Sequence, residues 1–383
     1  MPTIESFTIY EVDIPLRMTF SHSAARRDAS GSVFLKCVTE TGQEGFGKSL
    51  PRPYVTGESR PHVVQTLSSH ILPRLIGMGF GSFDEVRSFL HACDGKALRE
   101  WLDPDIPQAA AWSAVDLALL DTFGRVFGRP VFPMVPDILD HVRFSGVIPT
   151  GRIAFGVLLA MAFCMAGLRH VKVKVGSADD ERILRTIRLI LGKEVEIRVD
   201  ANMAWTLDQA LFFMPRLASI CVRSFEQQLA PDALDGMAEL VHRLGLDVVA
   251  DESITDRESL KYLMDKKACT SVNIRISKCG GLIAAYNRCQ DALQAGLGIQ
   301  IGCQVGESSL LASAQMALLA QVHHVKYVEG CYGRLLLRQD VAFPSLRFGY
   351  AGRPPIPPSG PGLGVTIDEE RLLRFCTHAE QVR

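Results

Sequence analysis

No stretch of this 383-residue sequence is built to cross a membrane, wrap a nucleic acid or rest on disulfides. Its ten cysteines run from Cys37 to Cys376 without a single CxxC pair, which fits reduced thiols in the cytoplasm better than a disulfide framework or a structural zinc site. Long blocks of like charge are absent too, and 41 basic residues nearly cancel 42 acidic ones. That balance argues against a nucleic-acid groove or a polybasic membrane patch and leaves a small molecule as the expected partner. The opening residues, MPTIESFTIYEVDIPL, place acids early and lack the unbroken apolar core of a secretion signal. The most apolar segment, residues 153–168 (IAFGVLLAMAFCMAGL), is 16 residues long and uncharged, short of the roughly 20 that a spanning helix needs. It reads as a helix buried against protein. An outer barrel helix would carry a polar face, so packing against another subunit of a homo-oligomer is expected.

A chain of this length exceeds one typical domain and suggests two, or one large barrel with an addition. The first hundred residues alternate short extended runs, IESFTIYEVDIPL and GSVFLKCVTETGQEGFG, with polar turns; helical segments follow from about His62, including PQAAAWSAVDLALLDTFGRVFG. This is a mixed α+β unit. From about Val142 a short apolar strand followed by an amphipathic helix repeats through VRFSGV, HVKVKVG, VEIRVDAN, VRSFEQ, DVVADES, SVNIRISK, GIQIGCQVGE and HVKYVEG. Eight such strands predict a barrel. Capping-box spacings at Thr206 with Gln209 and Thr255 with Glu258, and a weaker one at Ser177 with Asp180, mark helix starts. Ile183, Leu184, Ile187 and Leu191 give the segment after Ser177 one apolar face. The breaker-rich GYAGRPPIPPSGPGLGV predicts irregular chain leading back over the first domain.

In HVKVKVGSADDERI, residues 170–183, Lys172 and Lys174 stand two apart on a strand and share a face. They close the second barrel strand, at the end where barrels keep their active sites. A central barrel strand has no solvated edge, so buried lysines there need partners. RVDAN, SFEQQ and VADES supply them: Asp200, Glu226 and Asp251 end the next three strands, 26 and 25 residues apart. Three carboxylates around one point require a cation, and all-oxygen ligands favour Mg2+ or Mn2+ over zinc. Asn202 and Glu252 adjoin these acids and are expected to orient them. Lys278, in NIRISKCGG, lies 27 residues beyond Asp251, across the barrel mouth from the first lysine pair.

The K-x-K strand, the D…E…D set and a lysine before a small residue and GG together resemble the enolase superfamily, specifically its muconate-lactonizing subgroup (mandelate racemase/muconate lactonizing enzyme-like). The likeness extends to SAVDLALLDTFGRVFGRP and GPGLGVTID. It implies an α/β fold, a modified (β/α)7β TIM-type barrel with an N-terminal α+β capping domain. Residues 1–135 would form the cap, 136–345 the barrel with its metal and lysines, and 346–383 a segment returning to the cap. Cap loops at about 19–31 and 51–59 would reach over the mouth, making His22, Arg26, Arg27, Arg52 and Tyr54 candidates for substrate selection.

The resemblance further implies a reaction that starts at the carbon α to a carboxylate. Removing that proton builds a second negative charge on the same oxygens, which a divalent ion stabilises. The base must be an uncharged lysine, although lysine ordinarily titrates near ~10.4. Burial, the metal and the Lys172 charge all disfavour a charged Lys174, so Lys172 tunes and Lys174 reacts. Glu307, in GCQVGESSLL, ends the seventh strand as an acid, a partner of the intermediate or a helix cap.

Several positions depart from relatives of this kind. Lys278 stands where sugar-acid dehydratases and mandelate racemase would use a His/Asp pair on the later strands. KYVEGCYG offers only Glu329 where dipeptide epimerases show Asp-x-Asp to hold a substrate amine. Arg275 replaces a common lysine, and Lys48 a common acid. The leading expectation is a cytoplasmic, metal-dependent isomerase of a small-molecule carboxylate, either a racemase/epimerase or a muconate-type cycloisomerase. An o-succinylbenzoate synthase-like lyase, a dipeptide epimerase and a non-catalytic metal-binding barrel are the alternatives.

Overall fold

Residues 1–22, 25–94, 107–133, 139–149, 153–177 and 179–383 are described by the structure, a computed structural model. The expected boundary between cap and barrel, at 135–136, lies outside the described residues.

The N-terminal unit begins with β1 (Ile4–Val12), β2 (Pro15–His22), β3 (Ala25–Ala29), β4 (Ser32–Thr39) and β5 (Glu44–Ser49). Strands β1, β4 and β5 form an antiparallel sheet, while β2 and β3 make a separate hairpin. Helices α1 (Phe83–Ala92) and α2 (Ala109–Val126) follow, and α2 lies across β4 and β5 with its residues buried from Ala110 to Gly124. Glycine permits that depth. A Cβ at Gly47 would lie 1.8 Å from the Ala114 carbonyl oxygen, and one at Gly45 2.3 Å from the Thr122 nitrogen. Two alternate positions of β5 thus meet the helix backbone directly.

The barrel runs β6 (Gly146–Ile148), α3 (Ile153–Met165), β7 (His170–Lys174), α4 (Asp180–Leu191), β8 (Glu196–Asp200), α5 (Leu207–Ser219), β9 (Val222–Glu226), α6 (Leu234–Leu244) and β10 (Asp247–Ala250). It continues with α7 (Arg257–Lys266), β11 (Ser271–Ile274), α8 (Ile276–Cys279), α9 (Leu282–Gln294), β12 (Gly298–Ile301), α10 (Ser309–Leu319) and β13 (Val325–Val328). The eight strands pair in parallel in chain order. A parallel bridge between Phe144 and Val328, with the Ser145 N–H donating to the Val328 carbonyl at 2.8 Å, joins the first strand to the last.

Helix starts refine the sequence reading. Thr206 and Gln209 form the expected capping box. At α7 the box is Asp256 with Ser259 rather than Thr255 with Glu258, because Asp256 accepts the Ser259 N–H at 2.8 Å and the Ser259 hydroxyl returns to the Asp256 N–H at 3.1 Å. Ser177 and Asp180 make only half of the expected box: Asp180 accepts the N–H groups of Gly176 and Ser177, at 2.6 and 2.8 Å, and the Ser177 hydroxyl donates to it at 2.7 Å, while Asp179 is the N-cap of α4. Leu184, Ile187 and Leu191 are the buried apolar face of α4, with Ile183 packed partly against the core. Lys278 sits on the helical turn α8, because β11 ends at Ile274.

Cap and barrel share buried acids. Asp116 on α2 accepts the Leu282 N–H at 2.6 Å, and a Cβ on Gly281, whose φ is +111°, would lie 2.4 Å from the Asp116 side chain. The second glycine of CGG therefore makes room for a carboxylate of the cap. Asp121 accepts the N–H of Phe46 on β5 at 2.9 Å and that of Leu363 at 2.8 Å, tying the breaker-rich stretch to the cap. Short strands β14 (Ala342–Phe343) and β15 (Thr366–Ile367) pair with each other, and β16 (Cys376–Val382) adds to the cap sheet beside β1.

Among the described residues no helix is long and apolar enough to cross a membrane, and all ten cysteines are free. Replacing Asp121 by Ala strands two buried N–H donors and should lower stability by about 2–5 kcal/mol. Asp121→Asn, which keeps an acceptor oxygen, should lose less. Urea unfolding monitored by far-UV circular dichroism checks the order; equal losses would show that the hydrogen bonds are not what joins these segments.

Candidate active site

The closing ends of the barrel strands and the cap enclose a cavity of about 340 Å3. Lys172 and Lys174 line it with Asp200, Asn202, Glu252, Arg275, Glu307 and Glu329, and Arg52 and Tyr54 enter from the cap. Phe155, Leu159 and Phe163 of α3, four residues apart, form an apolar wall. Thus one face of the uncharged helix meets the cavity, while Leu158, Met161 and Met165 are exposed.

Lys172 is almost fully buried, its Nζ 2.8 Å from Glu329, 3.2 Å from Glu226 and 3.3 Å from Asp200. Burial opposes its charge, but Glu226, Glu329 and Asp200 together outweigh burial and raise its pKa. The same pairing acts on Glu226: burial pushes it up, yet Lys172, Arg275 and Arg198 bring it down to about 2. Lys174 extends to the cavity wall, with Asp200 Oδ2 at 3.3 Å and Asn202 Oδ1 in close contact. Asn202 adopts a left-handed backbone, φ +43°, and its N–H donates to Asp200 Oδ1 at 3.0 Å while its side chain donates to Glu252 at 3.3 Å. Both expected orienting residues therefore touch each other.

Lys278 is enclosed behind this wall. It is 0 % exposed, and its Nζ donates to Asp251 Oδ1 at 2.8 Å, the Asp251 carbonyl at 2.6 Å and the Asn273 carbonyl at 2.8 Å. Burial, aided by the Arg275 guanidinium, pushes it down to about 7. Arg275 itself pairs with Asp251 and stands 3.9 Å from both Glu226 and Glu252. Lys172 and Arg275 thus stand among the acids, and among the described residues no three His, Cys, Asp or Glu side chains have the geometry of a metal site.

The donors themselves suit a hard cation. Asp200, Glu226 and Asp251 offer only oxygen donors, and Glu252 Oε2 is buried without a hydrogen-bond partner. Burial, with the charges of Asp200 and Glu226, pushes Glu252 up to about 7.

Glu307 accepts the Gln304 N–H at 2.8 Å, and burial pushes it up to about 7. Ser308 is the N-cap of α10, so Glu307 does not fill that position. Two basic side chains of the cap hold its loop. Arg52, 1 % exposed, donates to the carbonyls of Ser30, Gly31, Pro51 and Val305, and Lys48 donates to the Gly306 carbonyl at 3.1 Å with its Nζ 4.8 Å from the Phe34 ring centroid. Arg52 is a clamp, with backbone carbonyls in place of the substrate end expected of it. Arg27 lies over the Tyr54 ring at 5.7 Å and Arg26 is exposed on β3. His22 ends β2, its side chain outside the described residues.

Four polar residues went unread in the sequence. Arg198 donates to Ser145 at 2.9 Å and to Glu329 at 2.9 Å, and Gln300 and Asn273 donate to Glu226 at 2.9 and 2.8 Å. Gln227 accepts the Asp251 N–H at 2.8 Å and donates to Ser253 at 2.8 Å. Period 2 would have found Arg198, which stands two before Asp200 as Lys172 does before Lys174.

Residues 158–371 match the model of the family described as Enolase C-terminal domain-like. The N-succinyl-L-Arg/Lys racemase of Bacillus cereus is 26% identical over 99% of this chain and 100% of that protein, and its crystal structure aligns over the whole of both chains with a TM-score of 0.88 at 25% identity. The chloromuconate cycloisomerase of Cupriavidus pinatubonensis is 25% identical over 97% of this chain and 98% of that protein. A dipeptide epimerase of Cytophaga hutchinsonii, solved with Mg and the dipeptide D-Ala-L-Val, shares the fold across both whole chains, with a TM-score of 0.86 at 21% identity.

Burial of Lys48 has a testable sign. Its folded-state pKa is pushed down to about 7 from 10.5, so above about pH 7 the unfolded chain binds the extra proton and stability should rise toward about pH 10. Lys48→Met should remove this part of the rise. Urea unfolding of both proteins at pH 7 and pH 9.5 checks it; the same pH dependence in both would contradict a buried, depressed lysine.

Proposed function

Because the chain belongs to the family with an enolase C-terminal domain-like barrel, we propose that it is an isomerase that moves the proton on the carbon α to a substrate carboxylate. The observation that carries this reading is the lysine pair of β7: Lys172 is locked as a cation by three carboxylates, and Lys174 stands beside it at the cavity wall.

Asp200, Glu226 and Asp251 would hold a divalent ion, Mg2+ before Mn2+. When bound, it supplies positive charge against the substrate carboxylate, where negative charge builds as the α-proton leaves. Lys172 adds a fixed positive charge to the same region. Lys174 takes the proton, with Asp200 and Asn202 holding its amine in place. Lys278 is the second acid–base group, and to act it must release Asp251. The apolar wall of α3 and the cap exclude water from the exchange.

The eighth strand narrows the substrate. Both carboxylate oxygens of Glu329 are engaged, Oε2 by Lys172 at 2.8 Å and Oε1 by Arg198 at 2.9 Å. A dipeptide's free ammonium would need a carboxylate that this one cannot give without uncovering two buried cations. We therefore favour 1,1-proton transfer on carboxylates whose α-substituent carries no ammonium, such as acylated amino acids, over dipeptide epimerisation. The reduced cysteines support a cytoplasmic site of action, and the exposed apolar side chains of α3 support a homo-oligomer.

Solvent-deuterium exchange measured by proton NMR, with Mg2+ present, tests the reaction on acyl amino acids, dipeptides and muconate-like lactones. Exchange should occur on an acyl amino acid and stop in excess chelator, and Lys278→Ala should still exchange one stereoisomer while failing to invert it. Exchange that persists in chelator, or undiminished inversion by Lys278→Ala or Lys174→Ala, would overturn the assignment.

A further inference from the structure

We infer that Arg275 is an internal competitor for the cation site: a guanidinium that neutralises Asp251 when no divalent ion is bound and has to leave it when one is. The inference rests on the cation-holding role given above to Asp200, Glu226 and Asp251, and it goes beyond that role by assigning a regulator to it.

The first ground is placement. Arg275 Nη2 pairs with Asp251 Oδ2 and stands 3.9 Å from Glu226 Oε1 and 3.9 Å from Glu252 Oε1. A single positive group among three carboxylates meets the same electrostatic need as an ion would, and the two cannot share the position. The second ground is the oxygen concerned. Lys278 already occupies Asp251 Oδ1, at 2.8 Å, and the Asp251 carbonyl, at 2.6 Å. Oδ2 is the carboxylate oxygen left for an incoming ion, and Arg275 rests on it.

The third ground is that Arg275 has somewhere to go. It lines the cavity, it is the first residue beyond β11 with an extended backbone (φ −126°, ψ 127°), and its Nε is buried without a hydrogen-bond partner. With the cavity beside it and its Nε unbonded, the guanidinium can leave Asp251 for the cavity at the cost of no hydrogen bond from Nε. There it faces the space in which an anionic substrate sits, so that substrate favours the exchange and the ion favours substrate, a reciprocal coupling. An arginine suits this better than a lysine, because its planar fork pairs with a carboxylate in either place.

The test is calorimetric titration of MgCl2 alone into the full-length protein, without substrate, for wild type, Arg275→Met and Arg275→Lys, alongside thermal unfolding with and without Mg2+. Arg275→Met should bind Mg2+ about tenfold tighter than wild type, unfold at a lower temperature without Mg2+, and gain more from adding it. Arg275→Lys keeps a cation without the fork and should fall between the two; it carries the test if the Met variant fails to fold. Affinity in the variants equal to or weaker than wild type would overturn the inference. Failure of all three proteins to bind Mg2+ would overturn it together with the cation-holding role. Tighter binding by the variants in a protein that exchanges no carboxylate would support the inference while overturning the reaction proposed above.

Discussion

Everything at the barrel mouth depends on the neutralisation of acids that the fold forces out of water. Asp200, Glu226, Asp251 and Glu329 are each at most 3 % exposed, and a carboxylate so placed is destabilising by several kcal/mol unless it is paired. Lys172 answers three of them at once, Arg275 and Lys278 answer Asp251, and Arg198 answers Glu329 from the other side. The arrangement has more roles than members. Glu329 cannot both steady Lys172 and Arg198 and receive a substrate ammonium, and Asp251 Oδ2 cannot serve both a guanidinium and an ion. The proposed substrate class and the proposed cation site both rest on which of these claims on an oxygen succeeds.

The cap is subject to the same constraint in a milder form. Asp116 and Asp121 lie on a helix buried along most of its length, and each finds backbone N–H donors in another part of the chain. Arg52 and Lys48 reverse the polarity, bringing buried basic side chains as donors to backbone carbonyls of the loop before Glu307. Because those carbonyls belong to the barrel and the donors to the cap, the position of Glu307 over the cavity is fixed from both units. A substitution in the cap can therefore alter chemistry at the barrel without touching the substrate.

The strands and the acids at their ends were legible because both obey spacings that physics enforces: every second residue on one face of a strand, and about one βα unit between strand ends. Lys172, Lys174, Asp200 and Glu226 fall where that reading puts them, and β8 pairs Asp200 with Lys174 and Glu226. What escaped depends on side-chain reach. Arg52 binds carbonyls, which every residue has, so no pattern marks its partners. The box at α7 moved one residue because a serine could answer Asp256 as well as a glutamate could answer Thr255. Lys278 was placed on a strand, whereas Gly280 and Gly281, both with positive φ, follow a helical turn that carries it. The uncharged helix α3 lines the cavity with Phe155, Leu159 and Phe163 and leaves Leu158, Met161 and Met165 exposed, a division that its uniformly apolar sequence could not show.

The claim on which the account turns is that three strand-end carboxylates hold one divalent ion. Anomalous diffraction from crystals of the full-length protein soaked in MnCl2 addresses it without any substrate. The account predicts a single strong manganese peak in contact with Asp200, Glu226 and Asp251, with the Arg275 guanidinium turned away from Asp251. An empty barrel mouth with Arg275 still on Asp251, or a manganese peak bound elsewhere, would contradict it.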